Sequence, residues 1–193
     1  MLSDKSMGAG NQQERLDAKW VVGFVDGEGC FHIGINRQPK MRMGWQVLPE
    51  FRLVQHCKDE QILKRVQLFF NCGSVGINNG DRMEFRVRGI KNLTEIVEFF
   101  IQNPLHTKKE KDFEKFAQVI DLMRNGKHLT KSGLCEIAQL ALEMNRRQNS
   151  AANRILRDYM PNTENSSEDI VRSSWRHEEA TRNRVPPLSN QRS

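Results

Sequence analysis

Long hydrophobic runs are missing from this 193-residue sequence: no stretch approaches the roughly twenty consecutive apolar residues of a membrane span, so no membrane association is expected. Cysteine is sparse as well. Cys30, Cys57, Cys72 and Cys135 form no C-x-x-C pair, and no histidine stands at zinc-finger spacing, which argues against a disulfide framework and a structural zinc and fits a reducing compartment. The opening MLSDKSMGAGNQQER lacks an apolar signal core, and Asp4 and Glu14 beside a lone Arg15 do not read as a transit peptide. Secretion is not expected. A protein of this kind working in an organelle would be made there.

What is present begins with charge: 30 Lys and Arg against 24 Asp and Glu leave +6, which makes polyanions the natural partner class. The length suits one domain and is short for two. Apolar residues at helical spacing from Leu16 to Val25 predict a helix over 16–27 that ends at the glycine-rich DGEG. Alternating patterns predict strands over 30–36 and 46–54, a helix follows over 59–70, and strands over 73–78 and 83–88 flank Asn79-Gly80, a two-residue turn signal. Helices are expected over 91–103, 108–123 and 131–144. The order α-ββ-α-ββ-α-α-α predicts an α+β fold, a four-stranded antiparallel sheet with helices on one side. Three segments are expected: a flexible 1–15, a folded domain over 16–145, and a basic 146–193 that is largely disordered or weakly helical. That last stretch has no lysine and more arginines than acids, as a nucleic-acid-binding extension or a solubilising tail would.

Chemistry concentrates in WVVGFVDGEGCF, residues 20–31. Gly23 and Gly27 stand four apart on one helix face, the small-xxx-small pattern that admits a second helix. Each glycine costs the helix about 1 kcal/mol relative to alanine, and close packing against another helix would offset that cost. Asp26 and Glu28 lie at the helix C-terminus, where the macrodipole disfavours negative charge. Carboxylates there, beside glycines that draw in a partner helix, suit a hard cation such as Mg²⁺.

VVGFVDGEG at 21–29 resembles the LAGLIDADG motif, with Gly23, Asp26 and Gly29 in register and Glu28 in place of its last Asp. PEFRLVQH (49–56), LFFNCGSV (68–75), FRVRGIKNL (85–93) and PLHTKKEKDF (104–113) extend the resemblance to single-motif, group I intron-encoded homing endonucleases, from about Leu16 to Asn145. The resemblance implies the LAGLIDADG fold with a saddle-shaped sheet and added C-terminal helices. It implies a homodimer through Val21, Gly23, Phe24, Asp26 and Gly27, since one chain carries one motif, with Asp26 as structural support. Glu28, with Gly27 beside it, becomes the metal-binding position for Mg²⁺ or Mn²⁺, and Glu28, Gln55 and Lys109 the catalytic set, Lys108 being the register alternative to Lys109.

If Phe31, Ile33, Ile35, Val47, Phe51, Leu53, Val75, Ile77, Phe85 and Val87 face the helices, the other face presents His32, Asn36, Gln38, Gln46, Glu50, Arg52, Asn78, Glu84, Arg86 and Arg88. Those types read base edges in a major groove: Arg to guanine, Asn or Gln to adenine, Glu to cytosine. The remaining histidines, His56, His106, His128 and His177, show no ligand spacing. Double-stranded DNA is the expected substrate, a long pseudo-palindromic site cut on both strands. Two readings compete with cleavage: an intron-RNA maturase and a DNA-binding protein of this fold that no longer cuts. A chloroplast or mitochondrion is the expected location for an organelle-encoded chain, the prokaryotic cytoplasm otherwise.

Overall fold

The computed structural model describes residues 16–144 and 149–160. Helix α1 (Ala18–Glu28) starts at Asp17, whose carboxylate accepts from the N–H groups of Lys19 (2.8 Å) and Trp20 (3.3 Å) and so satisfies donors that the first turn leaves open. It passes straight into strand β1 (Gly29–Arg37). Glycine is required at that junction, because a Cβ on Gly29 would lie 2.6 Å from Val25 Cγ1 and 2.7 Å from the Val25 carbonyl oxygen. Strand β2 (Trp45–His56) is followed by a 3₁₀ turn (Cys57–Asp59) and helix α2 (Glu60–Phe70). Then come β3 (Ser74–Asn79), β4 (Arg82–Val87), α3 (Ile90–Gln102), α4 (Lys109–Arg124), a 3₁₀ turn (Lys127–Leu129), α5 (Lys131–Met144) and α6 (Ser150–Tyr159). The predicted α+β architecture is present.

The sheet is antiparallel throughout, in the order β1-β2-β4-β3. Side chains alternate across it as the pattern predicts. Phe31, Ile33, Ile35, Val47, Phe51, Leu53, Phe85 and Val87 are buried against the helices, where Phe31 packs with Phe51 (5.2 Å between ring centroids) and Phe116 (5.3 Å), and Phe51 with Phe100 (5.9 Å).

Four expectations need correction. Ile77 is 76% exposed, because it pairs with Met83 near the hairpin tip of an edge strand where no helix reaches. Asn79 pairs with Arg82, so the two-residue turn is Gly80-Asp81, with Gly80 at φ +57° and a register shift between Ile77 and Asn79. Gln38 lies beyond β1, in a turn where its N–H donates to the Gly44 carbonyl (2.9 Å) and its carbonyl accepts from Met41 (2.9 Å), so it is not on the sheet face. Residues 150–159 belong to the folded body: Ala152 and Ile155 are buried, and the Tyr159 hydroxyl donates to the Met43 carbonyl (3.1 Å). Ala152, Ile155 and Tyr159 recur at helical spacing, and that period outweighs the polar composition around them. The expectations for 1–15 and 161–193 lie outside the described residues.

Candidate active site

Helix α1 has two unlike sides. Val21, Val22 and Val25 enter the core, and Val21 is 0% exposed, which removes it from the set expected to face a partner. The other side carries Trp20, Gly23, Phe24 and Gly27. Trp20 is 41% exposed and stacks on Phe24 at 4.9 Å. A Cβ built on Gly23 or Gly27 meets nothing within 4 Å. Nothing among the described residues therefore demands glycine at either position. Sequence reasoning missed Trp20 although its spacing from Gly23, Phe24 and Gly27 places it on the same stripe.

At the C-terminal end of α1, the Asp26 carboxylate reaches across to the segment before α4. Its carboxylate accepts from the His106 N–H (2.9 Å), the Thr107 N–H (3.2 Å) and the Thr107 hydroxyl (2.8 Å), tying α1 to the segment before α4. Burial alone would raise its pKa, but these three donors, helped by the nearby His106 ring, outweigh it and leave the group below the ordinary carboxylate value. Asp26 acts as a tether between α1 and the segment before α4, in keeping with a supporting structural role. The next acid differs. Glu28 is exposed, and none of the described residues donates to its carboxylate.

Lys109, at the first position of α4, reaches back to the same end. Its ammonium donates to the carbonyls of Val25 (2.9 Å), which also accepts from the Gly29 N–H, and of Gly27 (3.3 Å), and places positive charge where the macrodipole is negative. Burial pushes its pKa below the usual lysine range, against the opposing influence of Cys30, Asp26, Glu28 and Asp112. Lys108 is exposed and makes no such contact. Gln55 sits two residues beyond Leu53, the partner of Gly29, and on the Leu53 side of β2, so it lies at the α1 end of the sheet. Glu28, Gln55 and Lys109 thus gather at one end of the fold.

Among the described residues no group of three His, Cys, Asp or Glu side chains comes together to hold a metal ion. One chain offers the unpaired Glu28 carboxylate with the Gly27 carbonyl next to it. These are hard oxygen donors suited to Mg²⁺ in kind and too few in number, as half of a shared site would be.

On the open face of the sheet Asn36 stands opposite Gln46, and His32 opposite Glu50. Glu50 and Glu84 are buried, at 7% and 4% exposure. Glu50 pairs with Arg88 and lies 3.6 Å from Arg52 Nε, and Glu84 pairs with Arg86. Burial and these ion pairs keep both carboxylates off the surface, although Glu84 Oε2 has no hydrogen-bond partner among the described residues, so neither glutamate is presented to a cytosine amino group as the sequence expectation requires. The signal was available: the tripeptide Glu-Phe-Arg occurs at 50–52 and again at 84–86.

Fold and site together define a LAGLIDADG protein, and comparison with known proteins agrees. Residues 21–120 match the LAGLIDADG endonuclease family. The chain belongs to that family. It is 36% identical over 118 residues to a 50.9 kDa protein in ND4 intron 1 of Podospora anserina, and 35% identical over 133 residues to the probable intron-encoded endonuclease 2 of Neurospora crassa. These matches cover 60% and 67% of this chain but 26% and 29% of those proteins, so the chain spans under a third of their length. Among solved structures the homing endonuclease I-TnaI is 48% identical with a TM-score of 0.72, covering 76% of this chain and 99% of that one. I-SmaMI, bound to an uncleaved DNA target in the presence of calcium ions, is 30% identical with a TM-score of 0.71, covering 73% of this chain and 49% of that one.

Proposed function

We propose that the chain works as a homodimer that cuts both strands of a long, partly palindromic DNA site by metal-dependent hydrolysis. The observation that carries this reading is the outer side of α1: Gly23 and Gly27 are open to a second helix, and the unpaired Glu28 stands at the end of that same stripe. Two such helices meeting at a two-fold axis would bring two Glu28 carboxylates and two Gly27 carbonyls together, and a C2 dimer matches a palindromic duplex.

Mg²⁺ or Mn²⁺ held there would supply Lewis-acid charge at the attacking and leaving oxygens of the phosphodiester. Glu28 is its carboxylate ligand. Lys109 holds the last turn of α1 in place and offers a cation to the phosphate as charge develops. Gln55 orients water from the strand beside them. The open face of the sheet, with His32, Asn36, Gln46, Arg52, Asn78, Arg86 and Arg88, docks in the major groove. The DNA-bound state of I-SmaMI supports that docking, and the intron locations in the relatives' names support an organellar intron product whose target is the uninterrupted host gene.

The test is Glu28→Gln, which keeps shape and removes the anionic ligand. With duplex spanning a candidate insertion site, gel-shift affinity in Ca²⁺ is expected to match wild type, while cleavage in Mg²⁺ falls by about a thousandfold or more. Full cutting by the Glu28→Gln homodimer would sink the active-site assignment.

A further inference from the structure

The two Glu-Phe-Arg tripeptides run antiparallel on neighbouring strands, and their register places Arg52 directly opposite Arg86. Like charges directly opposed across a strand pair repel. Each of these two arginines has a glutamate two residues away on its own strand: Glu50 lies 3.6 Å from Arg52 and also pairs with Arg88, just past the end of β4, and Glu84 pairs with Arg86. Three guanidiniums and two carboxylates therefore form one charge lattice in the middle of the open face. Its polarity is ordered in depth. The glutamates are buried beneath, and the three arginines remain partly or largely exposed above them.

We propose that Glu50 and Glu84 are positioning residues: they hold Arg52, Arg86 and Arg88 with their outer N–H donors aimed at guanine edges, and so lower affinity for DNA in general while raising discrimination between sequences. This rests on the reading that the open face docks in the major groove. Burial denies the two glutamates any base contact of their own. Two carboxylates on a surface that meets a polyanion weaken phosphate attraction, so what they return must be something other than affinity. Fixing the arginines is that return. A free arginine swings among rotamers and pairs with any phosphate, whereas one anchored through its carboxylate presents a fork in a fixed direction, which suits the O6 and N7 acceptors of guanine. Arg52 and Arg86, opposed across strands about 4.8 Å apart, are spaced to address neighbouring base pairs, whose rise is about 3.4 Å.

The experiment uses the full chain and a randomised duplex library, selected in Ca²⁺ and read by sequencing, beside a fixed non-specific duplex titrated at several salt concentrations. Wild type is expected to enrich a motif with guanine in both halves. Arg86→Lys keeps the charge and loses the fork, so it marks the guanine position that Arg86 reads. Glu84→Gln is expected to lose guanine preference at that same position by about tenfold, and to bind the non-specific duplex several-fold more tightly at low salt. Glu50→Gln repeats the test independently at the positions marked by Arg52→Lys and Arg88→Lys. Melting curves confirm that each variant is folded.

An unchanged base profile in folded Glu84→Gln and Glu50→Gln overturns the proposal and leaves the docking reading intact. So does a loss confined to a cytosine position that no arginine variant marks, since the glutamates would then be reading bases themselves. A wild type that enriches no motif overturns both the docking reading and this one.

Discussion

Glycine appears in α1 and in α5 for opposite reasons. In α5 a Cβ on Gly133 would lie 2.3 Å from the Lys127 carbonyl oxygen, so the packing of the 3₁₀ turn at 127–129 onto the helix requires glycine from within the chain. In α1 a Cβ on Gly23 or Gly27 meets nothing within 4 Å, so no contact among the described residues requires glycine there. Each such glycine costs the helix about 1 kcal/mol relative to alanine with no return from the described packing, which is the cost that the proposed helix pairing would offset. A similar contrast separates Asp26, whose carboxylate accepts from His106 and Thr107, from Glu28, to whose carboxylate none of the described residues donates.

Four substitutions probe this division. Lys109→Ala is expected to have the largest effect, slowing Mg²⁺-dependent cleavage by about a hundredfold in single-turnover assays while the metal requirement stays. A rate near wild type would confine Lys109 to bracing the last turn of α1. Gly23→Leu is expected to weaken the dimer by tenfold or more in sedimentation and to lower double-strand cleavage with it, about the effect of 1–3 kcal/mol of overpacking. The melting of the monomer should not fall, since leucine favours helix over glycine. A Gly23→Leu monomer that still makes double-strand breaks would remove the shared-site argument. Gly133→Ala should do the reverse and lower the melting temperature by the equivalent of about 1–3 kcal/mol, because the clash is with backbone and exceeds the helix propensity gained. Dimer affinity should be unaffected.

Asp26→Asn should have the smallest effect, and its sign depends on pH. The folded pKa of Asp26 is lowered, so its contribution to stability is fully present above the unfolded value of about 3.9 and is lost as pH falls through the folded one. The wild-type advantage in melting temperature should therefore hold steady near neutrality and shrink below about pH 4. A difference that grows on acidification would contradict the tether.

Most of the fold was legible because its elements carry strong periods. The alternation of Phe31, Ile33 and Ile35, and of Phe51 and Leu53, fixes both strand type and face, and only Ile77 fails, at a hairpin tip where alternation no longer reports burial. Helix α6 is hidden in the sequence because its few apolar residues sit among Arg, Asn and Ser, whose composition masks the helical spacing of Ala152, Ile155 and Tyr159. The site was legible where a motif carries it and obscure where contacts are long-range. No local pattern reveals that Asp26 meets residues 106 and 107, or that the Lys109 ammonium reaches Val25 and Gly27. Val21 shows the converse limit: a motif residue can face its own core, and only packing tells which.

The hydrogen bond from Tyr159 to the Met43 carbonyl joins residues 116 positions apart. It closes α6, the last described helix, over the connection between β1 and β2, with Ile155 buried beneath. Loop closure of that length is slow and must precede the contacts that reward it. During synthesis, the Ile35 and Trp45 end of the sheet would stay uncovered until α6 has left the ribosome, so this end of β1 is open to wrong pairing until the last described helix arrives.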